Sequence, residues 1–144
     1  MGKKRVVKQK GGSVDEGLKA RSMAKTPKRK LGEGILHIQS TYNNTRLVLT
    51  DKSGNAVAWS SSGSLGFKGA KKGTTFAAGK VGELIADKAT AMGVNEVEVV
   101  IRGVGSGRES ALRAFTTKGI GVTGIKDATP IPHNGPKPRK PRRV

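Results

Sequence analysis

The sequence has no cysteine, which excludes disulfide frameworks, thiolate metal sites and cysteine nucleophiles. It has only five aromatic residues, Tyr42, Trp59, Phe67, Phe76 and Phe115, too few to stack a run of bases on aromatic platforms. It is also short of acid: 10 Asp and Glu stand against 28 Lys and Arg, leaving a formal charge of +18. No apolar run nears the roughly 20 residues that span a bilayer, and the N-terminal stretch has no secretory apolar segment. At 144 residues the chain has room for one compact domain and little more. The expectation is a soluble intracellular protein with no membrane contact, whose partner is a polyanion recognised through phosphate and shape.

Proline is missing from residues 34–129, which hold all five aromatics, and five of the six prolines lie in 130–144. The charge divides in the same way. Residues 1–33 carry 11 basic and 3 acidic side chains, 130–144 carry 5 basic and none acidic, and the 96 residues between carry 12 against 7. Residues 1–33, with Lys3, Lys4, Arg5 and Lys28, Arg29, Lys30 on either side of Gly11-Gly12-Ser13, offer too little apolar surface to offset the entropy of ordering. They are expected as a basic arm, disordered until it meets a partner; a cleaved organellar transit peptide is the alternative. Residues 34–129 are expected as the globular domain and 130–144 as an extended basic tail. Glycine, at 21 residues, is about twice its usual ~7%.

Within the middle segment, Gly34–Ser40, Arg46–Thr50 and Ala56–Ser60 read as three short strands. Tyr42-Asn43-Asn44-Thr45 and Asp51–Asn55 supply the turns of a meander. Ser61–Gly73 is too rich in glycine, serine and lysine to be regular. Thr74 or Thr75 can cap a helix along which Ala77, Val81, Leu84, Ile85 and Met92 recur on one face, with Gly93 as its stop. Val97, Val99 and Ile101 alternate with Glu96, Glu98 and Arg102 as a half-buried strand. A glycine loop, 103–107, precedes a short helix from about Glu109 to Lys118, with Glu109 and Lys118 complementing its dipole before Gly119 ends it. Val122–Asp127 is the last strand. The order β-β-β-α-β-α-β predicts an α/β fold: a mixed five-stranded sheet packed with two helices, flanked by basic N- and C-terminal extensions.

Nucleotide-binding motifs fail at particular positions. The dinucleotide fingerprint needs a glycine at 108, where the chain has Arg108, and Gly73-Thr74 lacks the lysine of a P-loop. What remains at Gly103, Gly105 and Gly107 is either a generic phosphate site, with exposed N–H groups beside Arg108, or a tight turn that needs small residues. In 66–73, lysines 68, 71 and 72 alternate with glycines that let backbone approach a phosphate chain closely. An enzyme would have to be built on Asp51, Glu83, Asp87 and Asp127 or on His37 and His133, whose spacing suggests neither a two-metal cluster nor a nucleophile–base pair. No catalysis, cofactor, metal or small-molecule substrate is expected. The sequon at Asn43 carries no weight without a secretion signal. Asn134-Gly135 is a candidate for isoaspartate, because glycine leaves its nitrogen unhindered for attack on the Asn134 amide.

Asn43-Asn44-Thr45, Gly66-Phe67-Lys68-Gly69, Phe76-Ala77-Ala78, Gly107-Arg108-Glu109-Ser110 and the run Asp127–Gly135 with its basic tail together resemble the bacterial-type small-subunit ribosomal protein eleven family over about residues 33–144. The resemblance implies a ribonuclease H-like ribosomal fold docked on the small-subunit platform. It implies contacts to 16S-type rRNA and to neighbouring platform proteins, close to the messenger exit path where Shine–Dalgarno pairing forms. Its setting would be a bacterial cytoplasmic ribosome, or an organellar one. Carried over by position, Lys68, Lys71, Lys72, the loop 103–108 with Arg108, and the tail from His133 to Arg143 with Asn134, Lys137, Arg139, Lys140 and Arg142 would face RNA; Asn43, Asn44, Arg46, Arg102, Arg113 and Lys118 are further RNA-binding candidates. Two positions depart from the family pattern: Val104 and Ser106 replace loop prolines, and Pro136 stands where a cysteine is common. A DNA-compacting protein and a ribonuclease H-type nuclease are the competing readings.

Overall fold

The computed structural model describes residues 14–144; the Lys3–Arg5 cluster and Gly11-Gly12-Ser13 lie outside the described residues. Five strands, β1 (Glu33–Ser40), β2 (Thr45–Thr50), β3 (Ala56–Ser61), β4 (Glu96–Arg102) and β5 (Gly121–Asp127), form one sheet in the order β3-β2-β1-β4-β5. The meander β1-β2-β3 pairs antiparallel, whereas β4 pairs parallel with β1 and with β5. The parallel pairs require crossovers, supplied by α2 (Thr75–Ala91) between β3 and β4 and by α3 (Gly107–Thr116) between β4 and β5.

Alternation decides which strand residues are buried. Leu36, Ile38, Leu47, Leu49, Val97 and Val99 point to one face and are at most 1% exposed. They meet Val81, Leu84 and Ile85 of α2 and Ala111 and Phe115 of α3 in a single core. The two helices approach closely at Gly82, where a Cβ would come within 2.5 Å of the Ala111 carbonyl oxygen and 3.1 Å of the Ala114 methyl. Thr74 caps α2, its Oγ1 accepting from the Ala77 N–H at 3.3 Å, and Gly93 stops the chain at φ +79, a conformation that L side chains adopt at a cost.

Three features depart from the sequence reading. A further helix, α1 (Glu16–Ala24), occupies part of the stretch expected to be disordered. Asp15 caps it by accepting from the Gly17 N–H, the Asp15 N–H donates to the Leu65 carbonyl at 3.0 Å, and Val14, Met23 and Leu31 lie against the core. The irregular 61–73 stretch contains two 3-10 turns, Gly63–Leu65 and Gly69–Gly73. Helix α3 starts two residues early, at Gly107, because that glycine is pressed between Thr45 and Ala78, where a Cβ would meet the Ala78 methyl at 2.6 Å. Only Phe67 and Phe115 of the five aromatics enter the core; Tyr42, Trp59 and Phe76 are exposed.

Candidate nucleic-acid interface

Strand register brings the loops of interest to one end of the sheet. Arg46 pairs with Ser61, Gln39 with Arg102 and Ile101 with Asp127. The β1–β2 turn, the lysine-rich segment after β3, the glycine loop after β4 and the root of the tail after β5 therefore all leave the sheet at the same edge. Glycines hold them together. A Cβ on Gly73 would overlap the Tyr42 carbonyl, one on Gly103 the Ser40 carbonyl, and one on Gly105 the Thr41 carbonyl. The Ser106 hydroxyl donates to the Gly73 carbonyl at 3.1 Å, closing the contact between two of the loops.

This packing changes the reading of the glycine loop. The Gly105 N–H already donates to the Ser40 carbonyl at 3.0 Å, and the Gly103 N–H to Thr129 Oγ1 at 3.3 Å. Those glycines serve close approach, and they set the position of cations rather than cradle a phosphate by themselves. Asn43 and Asn44 lie in the turn, Lys71 and Lys72 in the second 3-10 turn with Lys68 just before it, and Arg108 in the first turn of α3. The turn is closed by the Asn44 N–H donating to Thr41 Oγ1 at 3.1 Å. Asn44 Oδ1 is left as a buried side-chain acceptor without a partner among the described residues.

Arg108 is shared. Its Nη2 donates to Asp127 Oδ2 at 2.5 Å, while Asp127 Oδ1 accepts from the Thr129 hydroxyl at 2.6 Å and the Thr129 N–H at 3.0 Å. The Thr129 hydrogen bonds, with the Arg108 contact after them, hold the Asp127 carboxyl down at about 2. This knot fixes where the tail begins. Beyond Thr129 the chain has no regular structure, and every residue from Pro130 to Val144 is exposed, with His133, Asn134, Lys137, Arg139, Lys140, Arg142 and Arg143 among them.

Among the described residues, no element covers the sheet face opposite the helices. Across it runs the row Trp59, Val48, His37, Val100 and Lys126, and beside that row lie Arg46, Gln39 and Arg102. Burial, with Arg102 adding to it, lowers the His37 pKa; its Nε2 lies 3.3 Å from Thr50 Oγ1.

Two candidates fall outside the loop end. Arg113 lines a groove between α3 and the start of α2. Lys118, past the far end of α3, is engaged by Asp87 at 3.0 Å. The carboxylates considered for catalysis are dispersed: Glu83 holds Lys80, Asp87 holds Lys118, and Asp51 holds the Asn55 turn. No group of three His, Asp or Glu side chains is placed to hold a metal among the described residues. Sequence reasoning missed Arg21, Lys25 and Lys88, which line a cavity beneath α1. The available signal was Lys88 standing within the apolar stripe of α2, between Ile85 and Met92.

Fold and interface define a basic α/β protein whose glycine-packed loops display cations at one end of a mixed sheet. Residues 34–143 match the family model described as ribosomal protein S11. The small ribosomal subunit protein uS11 of Solibacter usitatus (strain Ellin6076) is 53% identical over 126 residues, covering 88% of this chain and 93% of that protein. The chain belongs to the ribosomal protein S11 family, a family of structural, non-enzymatic ribosomal proteins.

Proposed function

We propose that this protein is a structural constituent of the small ribosomal subunit that binds 16S-type rRNA in the platform. It would sit beside neighbouring platform proteins, near the messenger exit where Shine–Dalgarno pairing forms, in a bacterial cytoplasm. The observation that carries the reading is the gathering of Asn43, Asn44, Lys68, Lys71, Lys72, Arg102 and Arg108 at the sheet edge from which the basic tail departs. The domain sets position. The tail, kept extended by Pro136, Pro138 and Pro141, carries Lys137, Arg139, Lys140, Arg142 and Arg143 to separate phosphates. In the family pattern the loop at 104 and 106 carries prolines; here the Ser106 hydroxyl bond to Gly73 supplies a tie in their place.

Each neutralised phosphate releases counterions, so affinity should fall steeply with salt. Titrating a platform rRNA fragment against salt is expected to give a steep linear slope. Removal of 133–144 should leave the melting temperature intact while reducing the slope by about 0.9 per lost phosphate contact. Equal affinity for duplex DNA of matched length at matched salt would favour the DNA-compacting alternative and overturn the proposal.

A further inference from the structure

Lys88 lies in the apolar stripe of α2 and is 5% exposed. Its ammonium donates to Ser22 Oγ of α1 at 2.9 Å, and the ion pairs among the described residues leave it out. Residues 1–13 contain no Asp or Glu, so the partner carboxylate is not there either. A single hydroxyl compensates poorly for the hydration that a buried ammonium gives up. Desolvation accordingly lowers the Lys88 pKa.

A cavity of about 390 Å³ opens beside this ammonium, between α1, β3 and α2. Arg21 and Lys25, from the end of α1, share its wall with Ser22, Ser64 and Trp59, and no acidic side chain lines it. Neither Arg21 nor Lys25 enters an ion pair among the described residues. Three cations thus line one space for which no side chain among the described residues supplies a counter-charge. We propose that the cavity under α1 is a phosphate site and that its occupant is a backbone phosphate of the bound RNA. A phosphodiester carries two non-bridging oxygens, enough to accept from Lys88 and from the fork of Arg21 together. Because Arg21 and Lys25 come from α1 and Lys88 from α2, the bound phosphate would also fasten α1 to the domain. The RNA part of this inference rests on the rRNA-binding reading above.

The test uses the full chain and three proteins: wild type, Lys88→Met, and Arg21→Gln with Lys25→Gln. The double variant changes only α1 and decides the matter if Lys88→Met fails to fold. Inorganic phosphate, exchanged for chloride at fixed ionic strength, is expected to raise the wild-type melting temperature saturably and to have a much smaller effect on both variants. An equal response in all three overturns the site. In a second arm, Lys88→Met is expected to bind the platform rRNA fragment about tenfold more weakly, with a salt slope smaller by about one. Loss of the inorganic phosphate response with unchanged rRNA affinity overturns the assignment to RNA and makes the site one for a free anion. Failure of the wild type to bind rRNA would refute the proposed function instead, and the inorganic phosphate arm would still decide whether the cavity is a phosphate site.

Discussion

At the residue scale, Asp127 and Asn134 both lie near the root of the tail. Asp127 closes the Thr129 and Arg108 knot, and its carboxyl, ordinarily titrating at 3.8, is held at about 2. A depressed carboxylate contributes above its unfolded pKa and loses that contribution only as pH falls through the folded value. The Thr129 amide should therefore keep its hydrogen-exchange protection in the wild type from pH 7 down to about 4. It should lose protection in Asp127→Ala already at pH 7, and wild-type protection that vanishes between pH 6 and 5 would contradict this role. Asn134 is exposed and sits at φ +59, followed by Gly135. We propose that the Gly135 nitrogen attacks the Asn134 side-chain carbonyl, ammonia leaves, and water opens the succinimide to isoaspartate. Peptide mapping of aged protein should find an isoaspartyl bond at 134; its absence would refute the proposal.

At the scale of elements, the strands and α2 were legible because each is specified locally. Val97, Val99 and Ile101 alternate with charged residues, and α2 carries its own cap, stripe and stop. Val99 is fully buried under the helices, so Val99→Asp should cost on the order of 4 kcal/mol by burying an unpaired charge, a large share of a stability of roughly 5–15 kcal/mol. An unchanged melting temperature would contradict the placement of that strand face. Helix α1 was not legible, since its anchors come from elsewhere: Leu65 receives the Asp15 N–H, and Lys88 reaches Ser22. The start of α3 was misread for a related reason. Ser106 looked like part of a loop before a Glu109-led helix, whereas its hydroxyl is spent on Gly73 and Gly107 begins the helix against Thr45 and Ala78. The lysines of 68–72 could be recognised from charge and glycine spacing. Lys88 could not, because the meaning of a lysine in an apolar stripe depends on whether the element opposite supplies an acid.

At the scale of the molecule, charge and order are separated. The acids of residues 34–129 are largely engaged in local tasks, holding Lys80, Lys118, the Asn55 turn and the root of the tail. The cations of the loop edge and tail are left facing outward, and the sheet face opposite the helices adds Arg46, Arg102 and Lys126 to the same surface. Under the proposed function, the outward cations of the loop edge and sheet face would clamp RNA, with the tail threading between neighbouring segments. The central claim is membership in an assembled small subunit, and sucrose-gradient sedimentation tests it most directly. The account predicts that the protein moves with small subunits and that protein lacking 133–144 is released at lower salt. Full-length protein remaining at the top of the gradient while small subunits sediment would contradict it.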